Sequence, residues 1–192
     1  KAQERYASVS LEQERRGRTV SKDAFLALLD GLKKTIQRLE WSPVGTEWGD
    51  YYEQTNYTSK AFTWKKNLVN SWAGQVNPKL AWDLGANTGV FSREVSKTGS
   101  HVVAWDIDPA AVEQNWKEVR SNREPNLLPL LLDLSNPSPA LGWNNLERDS
   151  FTGRGPVDLV MALGLVPHLA ISNNLPLDRI ASALAGWGKW LI

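Results

Sequence analysis

The stretch Lys79–Gly89, KLAWDLGANTG, constrains this chain more than any other. Leu80, Ala81, Trp82 and Leu84 form an apolar run long enough for one buried strand, with Asp83 near its end. Gly85-Ala86-Asn87-Thr88-Gly89 is a turn of small residues. The segment VFSREVSKTG after it reads as a helix, with Val90, Phe91 and Val95 on one side, Lys97 in the last turn and Gly99 as a stop. A strand, a glycine-bearing turn and a helix start bring backbone N–H groups close to a ligand.

The theme recurs downstream. In HVVAWDIDP, His101 to Trp105 is a strand, Asp106 its C-terminal acid, Asp108 an N-cap and Pro109 the first helical residue. Ala110, Ala111, Val112, Trp116 and Val119 carry that helix on. A third strand runs from Leu127 to Asp133 and again ends in an acid; Ser135-Asn136-Pro137-Ser138-Pro139 then breaks the chain. Residues 140–152 read as a short helix with loops, Val157 to Leu163 as a fourth strand, Asn174 and Pro176 as a helix start, and Trp187 to Ile192 as a fifth strand. Strands alternating with helices predict an α/β fold, a mostly parallel sheet with helices on both faces. The chain stops within an apolar strand and lacks an initiator Met, so a fragment without its C-terminal strands is expected.

Ahead of the sheet, residues 1–48 are expected to form an N-terminal helical extension to a domain of residues 49–192. Phe25, Leu26, Leu28, Leu29, Leu32, Ile36 and Leu39 recur at three- and four-residue steps after a Ser21 N-cap. This amphipathic helix lies either on the main domain or on a partner chain, which makes it a route to an oligomer. A second helix, SKAFTWKKNLVNSW, is capped by Thr58 or Ser59. At 100° per residue, Ala61, Phe62, Leu68, Val69 and Trp72 share one face, with Lys65 in its middle and Lys66 at its margin. Lys65 either snorkels to water or meets a carboxylate bound near the glycine turn. Tyr57, just before the helix, either closes the same pocket or sits in the core.

Composition narrows the classes. A net charge of +1 gives no bulk electrostatic reason to bind nucleic acid or an acidic membrane. The absence of cysteine excludes disulfides and thiolate metal sites within this chain, and two distant histidines argue against a metal centre. No apolar run approaches the roughly 20 residues of a membrane span, and the first residues lack a signal-peptide core. A soluble, cytoplasmic protein with no membrane partner is expected. The ten tryptophans are expected mostly to be packing residues.

In an open parallel sheet, ligands sit beyond the strand C-termini at the point where strand order reverses. Three strands here end in acids: Asp83, Asp106 and Asp133. The turn is not the G-x-G-x-x-G of dinucleotide sites, because Asn87 stands where the second glycine would be, and the P-loop spacing is absent. Asp106, about 20 residues past the turn, suits a ribose diol and repels a phosphate. Together these features describe a nucleoside without a pyrophosphate.

That combination resembles the class I S-adenosylmethionine-dependent methyltransferases over roughly residues 50 to 192. WDLGANTG looks like their first motif, VVAWDIDP their ribose-binding strand end and LLLDLSNP their adenine-binding one. YYEQTNY and LGLVPHLAISNN are similar to a subgroup labelled NoeA-like, after a nodulation protein. The resemblance implies a Rossmann-like fold and S-adenosyl-L-methionine as cofactor. It places the cofactor's amino-acid part on Asp83, Gly85 and Asn87, the ribose on Asp106 and the adenine amino group on Asp133, with Ile107 and Leu134 against the ring. Ala86, Thr88 and Gly89 of the turn, Ala162, Tyr57 and Lys65 complete the expected cofactor site.

Methyl transfer needs a general base only where the acceptor must lose a proton. His168, after strand four, is the candidate base, against a rim or packing histidine. Pro167 replaces the first of two adjacent histidines carried by many members of the class. Asn173 and Asn174 can orient an acceptor, Asn174 being equally a helix cap. The Asn/Asp-Pro-Pro-Tyr segment of amino methyltransferases and the Lys-Asp-Lys-Glu set of ribose methyltransferases are absent, which points to an oxygen or carbon acceptor on a small molecule. An enzyme acting on RNA or protein is the alternative, favoured if Arg15, Arg16, Arg18, Lys33 and Lys34 gather beside the pocket. A cofactor-binding scaffold without turnover is the other.

Overall fold

The computed structural model describes residues 20–41, residue 46 and residues 58–192. The chain divides into two compact units, Lys1–Ser42 and Pro43–Ile192. In the first, helix α1 spans Lys22–Arg38. Ser21 caps it, its hydroxyl accepting from the Ala24 N–H at 3.1 Å, and Phe25, Leu29 and Leu32 are among its exposed apolar residues.

The second unit is a five-stranded, all-parallel sheet in the order β3-β2-β1-β4-β5. Its strands are β1 Leu80–Leu84, β2 His101–Asp106, β3 Leu127–Leu131, β4 Val157–Met161 and β5 Gly188–Leu191. Helix α2 (Ser59–Val76) precedes β1, α3 (Val90–Ser96) links β1 to β2, α4 (Pro109–Asn122) links β2 to β3, and α5 (Leu177–Trp187) links β4 to β5. The chain winds outward in one direction through β2 and β3 and in the other through β4 and β5, so right-handed crossovers place α3 and α4 on one face and α5 on the other. This is the expected doubly wound Rossmann-like architecture.

The core follows from strand alternation. Ala81 of β1 faces a cluster with Val69 and Ala73 of α2, Phe91 and Val95 of α3 and Val119 of α4. Trp82 and Leu84 face the opposite cluster with Ile180 and Leu184 of α5. Phe151 anchors that second cluster, stacked on Trp82 at 4.6 Å and edge-on to Trp105 and Trp187 at 5.4 and 5.1 Å.

Several expectations are corrected. On α2 the apolar face runs through Phe62, Val69, Ala73 and Val76, whereas Ala61 and Trp72 are exposed. α4 runs through Ala110, Ala111, Val112, Trp116 and Val119 as expected, burying Asn115 and leaving Trp116 exposed. β3 stops at Leu131, its pairing with β2 closing on the hydrogen bond from the Leu132 N–H to the Asp106 carbonyl at 2.8 Å. β4 ends at Met161, two residues short of Leu163. The short helix expected within residues 140–152 is a single 3-10 turn, Trp143–Asn145, inside a Leu141–Arg148 bridge, with Asn144 and Asn145 at positive φ. One π-helical turn, His168–Ser172, precedes α5, and Asn174 is not its cap: that position belongs to Pro176. Tryptophan is less a core residue than expected: Trp41, Trp64, Trp72, Trp116, Trp143 and Trp190 are exposed.

Asp158 pins the end of the sheet opposite the strand C-termini. Its Oδ2 accepts from the Lys79 and Leu80 N–H groups at 3.0 and 3.2 Å, and Oδ1 meets Lys189 Nζ at 2.7 Å, so one carboxylate ties β1, β4 and β5. The Lys189 hydrogen bond, then the two backbone donors, hold its pKa below the usual carboxylate range. A folded-state pKa below the unfolded one stabilises the fold at higher pH, and that contribution disappears as pH falls through the folded value. Asp158→Ala is therefore expected to lower the melting temperature at pH 7, with the gap to wild type closing on acidification; thermal melts at pH 7 and below 4 check this.

Candidate cofactor site

A cavity of about 350 Å³ opens at the C-terminal ends of the strands, where β1 and β4 part and the order reverses. Among its lining residues are Lys65, Gly85, Asn87, Asp106, Ile107, Asp133, Leu134 and His168. They come from α2, from the segments after β1, β2 and β3, and from the π-helical turn after β4.

Backbone bonds shape the turn. The Gly85 and Ala86 N–H groups both donate to the Trp105 carbonyl at 2.9 Å, and the Gly89 N–H to the Ala86 carbonyl at 2.9 Å. Gly85 (φ +74°) and Gly89 (φ +77°) take left-handed conformations that glycine adopts at least cost. A Cβ on Gly85 would stand 3.1 Å from Leu165, on the cavity side. Asn87 also has positive φ, and its N–H donates to Asp106 Oδ2 at 2.7 Å. Asp106 Oδ1 accepts from the Asp108 N–H at 2.8 Å, while Asp108 caps α4 through the Ala110 N–H at 2.7 Å. Asp106 is thus a ligand-facing acid and a brace for the turn together. Burial raises its pKa, opposed by the N–H groups of Asp108 and Asn87.

Asp83 lies buried below the turn, its Oδ2 accepting from the Ser92 hydroxyl at 2.6 Å. Burial pushes its pKa up to about 7; the Ser92 bond opposes the rise, the Asp106 charge adds to it and Lys65 opposes it. The Lys65 ammonium stands 4.6 Å from the centre of the Phe91 ring, in cation–π range. Asp133 Oδ1 accepts from the Ser135 N–H and hydroxyl at 2.8 and 2.6 Å.

Other expected site residues fall elsewhere. Ala86 is buried, Gly89 is packed against α4, and neither Thr88 nor Ala162 lines the cavity. Tyr57 lies outside the described residues, as do Arg15, Arg16 and Arg18 of the alternative basic face. The structure adds Phe91, Leu132, Leu163, Gly164, Leu165, Leu169 and Ser172 to the lining. Only their place after a strand that flanks the reversal of order marks the last five in the sequence. Among the described residues there is no cluster of metal-ligating side chains and no helix long and apolar enough to cross a membrane.

The chain is similar to the nodulation protein NoeA of Rhizobium meliloti (strain 1021), with 36% identity over 171 residues. The match takes in 87% of this chain and 35% of that protein, so the chain spans about a third of its relative. No protein-family profile matches. Solved structures similar to it include a methyltransferase from Geobacter sulfurreducens (12% identical, 93% of this chain and 74% of that one, TM-score 0.45). Another is a putative RNA methyltransferase from Pyrococcus horikoshii (21% identical, 69% and 57%, TM-score 0.40). The strand order, with the chain reversing between β1 and β4, is that of a doubly wound, Rossmann-like fold. Within that fold, the NoeA likeness read from YYEQTNY and LGLVPHLAISNN is met by the curated relative.

Asp83 gives this site a pH signature. Its folded-state pKa lies above the unfolded one, so the native state holds the extra proton between about pH 4 and 7 and loses stability as pH rises through that window. Asp83→Asn, which keeps an acceptor for Ser92, is expected to melt above wild type at pH 8 and close to it at pH 4. Differential scanning fluorimetry across that range reads the effect.

Proposed function

We propose that this unit binds S-adenosyl-L-methionine and supplies the catalytic core of a methyltransferase. What supports the reading most is that one cavity joins three acid-ended strand segments to a glycine turn, with Lys65 as the one lysine or arginine in its described lining. Asp106 and Asp133, with Asp83 buried beneath, disfavour a polyanionic ligand and favour a cationic one. The donor set fits the cofactor part by part. A carboxylate has about four acceptor positions, so Asp106 can hold backbone N–H groups and still accept from a ribose diol. Asp133 meets the adenine amino group, Ile107 and Leu134 flank the ring, and Asp83 and Lys65 match the ammonium and carboxylate of the amino-acid part. The Gly85 backbone, open on the cavity side, permits close approach.

Bound there, the cofactor supplies an electrophilic methyl on a sulfonium. The chain's own work is to orient, to exclude water and to manage a proton; alignment alone is worth roughly 7–11 kcal/mol of barrier. His168 begins a π-helical turn at the cavity rim, a geometry frequent at functional sites, and takes the acceptor's proton. The acceptor is an oxygen or carbon nucleophile on a small molecule: the segment after β4, Ala162-Leu163-Gly164-Leu165, offers no Asn/Asp-Pro-Pro-Tyr clamp for a planar nitrogen.

Two substitutions read the cofactor site by calorimetry with S-adenosylhomocysteine. Asp133→Ala is expected to weaken binding by about 1.5–3 kcal/mol, roughly 10- to 150-fold. Lys65→Met is expected to weaken it while holding or raising the melting temperature; a marked loss of stability would make Lys65 structural. No heat would overturn the cofactor reading, and heat without any methylated product would leave the cofactor-binding scaffold. Incubating the full chain with isotopically labelled cofactor and a small-molecule extract should yield labelled products by mass spectrometry, about 10²-fold more slowly or less with His168→Ala. Label recovered only in RNA or protein would replace the small-molecule acceptor.

A further inference from the structure

Arg93 lies on α3, outside the lining of the cavity, with its side chain only 12% exposed. Its Nη1 donates to the Thr88 carbonyl at 2.7 Å, between Asn87 and Gly89 in the turn. Its Nε donates to both Glu124 oxygens at 3.0 and 3.1 Å and lies 3.2 Å from Glu118 Oε1. Nη2 stands 3.0 Å from Glu124 Oε2 without hydrogen-bond alignment. Glu118 belongs to α4, and Glu124 follows that helix by two residues, on the way into β3. One guanidinium thus joins the glycine turn to the far end of α4, whose near end is already tied to the turn through Asp106 and Asp108.

The turn is closed from a second side. The wholly buried Asn115 amide of α4 occupies the space a Cβ at Gly89 would need, with Nδ2 at 2.4 Å from that point. Gly89 itself starts α3 with no side-chain cap. The Asp106 carboxylate holds the Asn87 N–H, and Arg93 holds the carbonyl of the next peptide but one, Thr88–Gly89, so side chains fix the turn from both ends.

We propose that Arg93, clamped by Glu124 and Glu118, is a positioning residue that fixes the Asn87–Gly89 turn in its ligand-receiving conformation. The cofactor half of this inference rests on the nucleoside reading above; the conformational half does not. A planar fork with five donors serves the carbonyl and the carboxylates together, whereas a lysine ammonium at the same reach serves one side. Arg93→Lys should accordingly fall between wild type and Arg93→Met.

The test measures amide hydrogen exchange of the ligand-free full chain and the affinity for S-adenosylhomocysteine in parallel. Arg93→Met should speed exchange across residues 86–90 and weaken affinity by about tenfold or more each, the scale of a lost charge-assisted hydrogen bond. Lys189→Met, which breaks the ion pair at the opposite end of the sheet, should lower the melting temperature while leaving both readouts within about twofold. Should Arg93→Met fail to fold, the double substitution Glu118→Gln and Glu124→Gln loosens the same clamp without shortening any side chain. Exchange and affinity unchanged in a folded Arg93 or glutamate variant would overturn the proposal, as would equal effects from Lys189→Met. If wild type binds no nucleoside, the cofactor reading falls, and exchange at 86–90 alone decides whether Arg93 holds the turn.

Discussion

The Asp106 carboxylate carries more of the cavity's architecture than any other group. Its two oxygens take the Asn87 and Asp108 N–H groups, and its backbone carbonyl takes the Leu132 N–H, so the exits of β1, β2 and β3 converge on one residue. Each of those donors, buried without a partner, would cost about 1–3 kcal/mol. Burial makes the charge expensive, and the backbone donors offset it. The result is a rigid floor on which a ligand meets acceptors already in place.

That floor explains the unusual electrostatics around it. Burial raises the cost of ionising both Asp83 and Asp106, and the Asp106 charge adds to it at Asp83. Lys65 is the nearby counter-charge: it opposes the rise in the Asp83 pKa, and its ammonium also stands 4.6 Å from the centre of the Phe91 ring. Two carboxylates and one lysine in the described lining are the charge balance on which the proposed cationic ligand rests.

The legible part of this molecule was its periodic part. The strands around Asp83 and Asp106 stood out because apolar runs ended in an acid and a turn, and Ser21, Thr58 and Asp108 cap their helices as their positions imply. Register at the ends was harder: β3 ends where its pairing with β2 closes, on the bond from the Leu132 N–H to the Asp106 carbonyl, and no local pattern encodes that contact. The wheel for α2 averaged all its apolar residues, whereas packing selected the stripe through Val69 and Ala73 and left Trp72 to solvent. The segment 140–152 lacked periodicity, and with Asn144 and Asn145 in left-handed conformations its helix is one 3-10 turn held inside a bridge. Arg93 and Asn115 were invisible as site residues because their partners lie 31 and 26 positions away.

The contact between Gly89 and Asn115 bears on how such a chain can diverge. With the amide already filling the only space open to a side chain at 89, and with φ there at +77°, any residue larger than glycine meets both a strained backbone and an occupied volume. The two positions form one steric unit across the β1–α3 and β2–α4 segments, so descendants of this sequence are free to drift at one only after the other has made room.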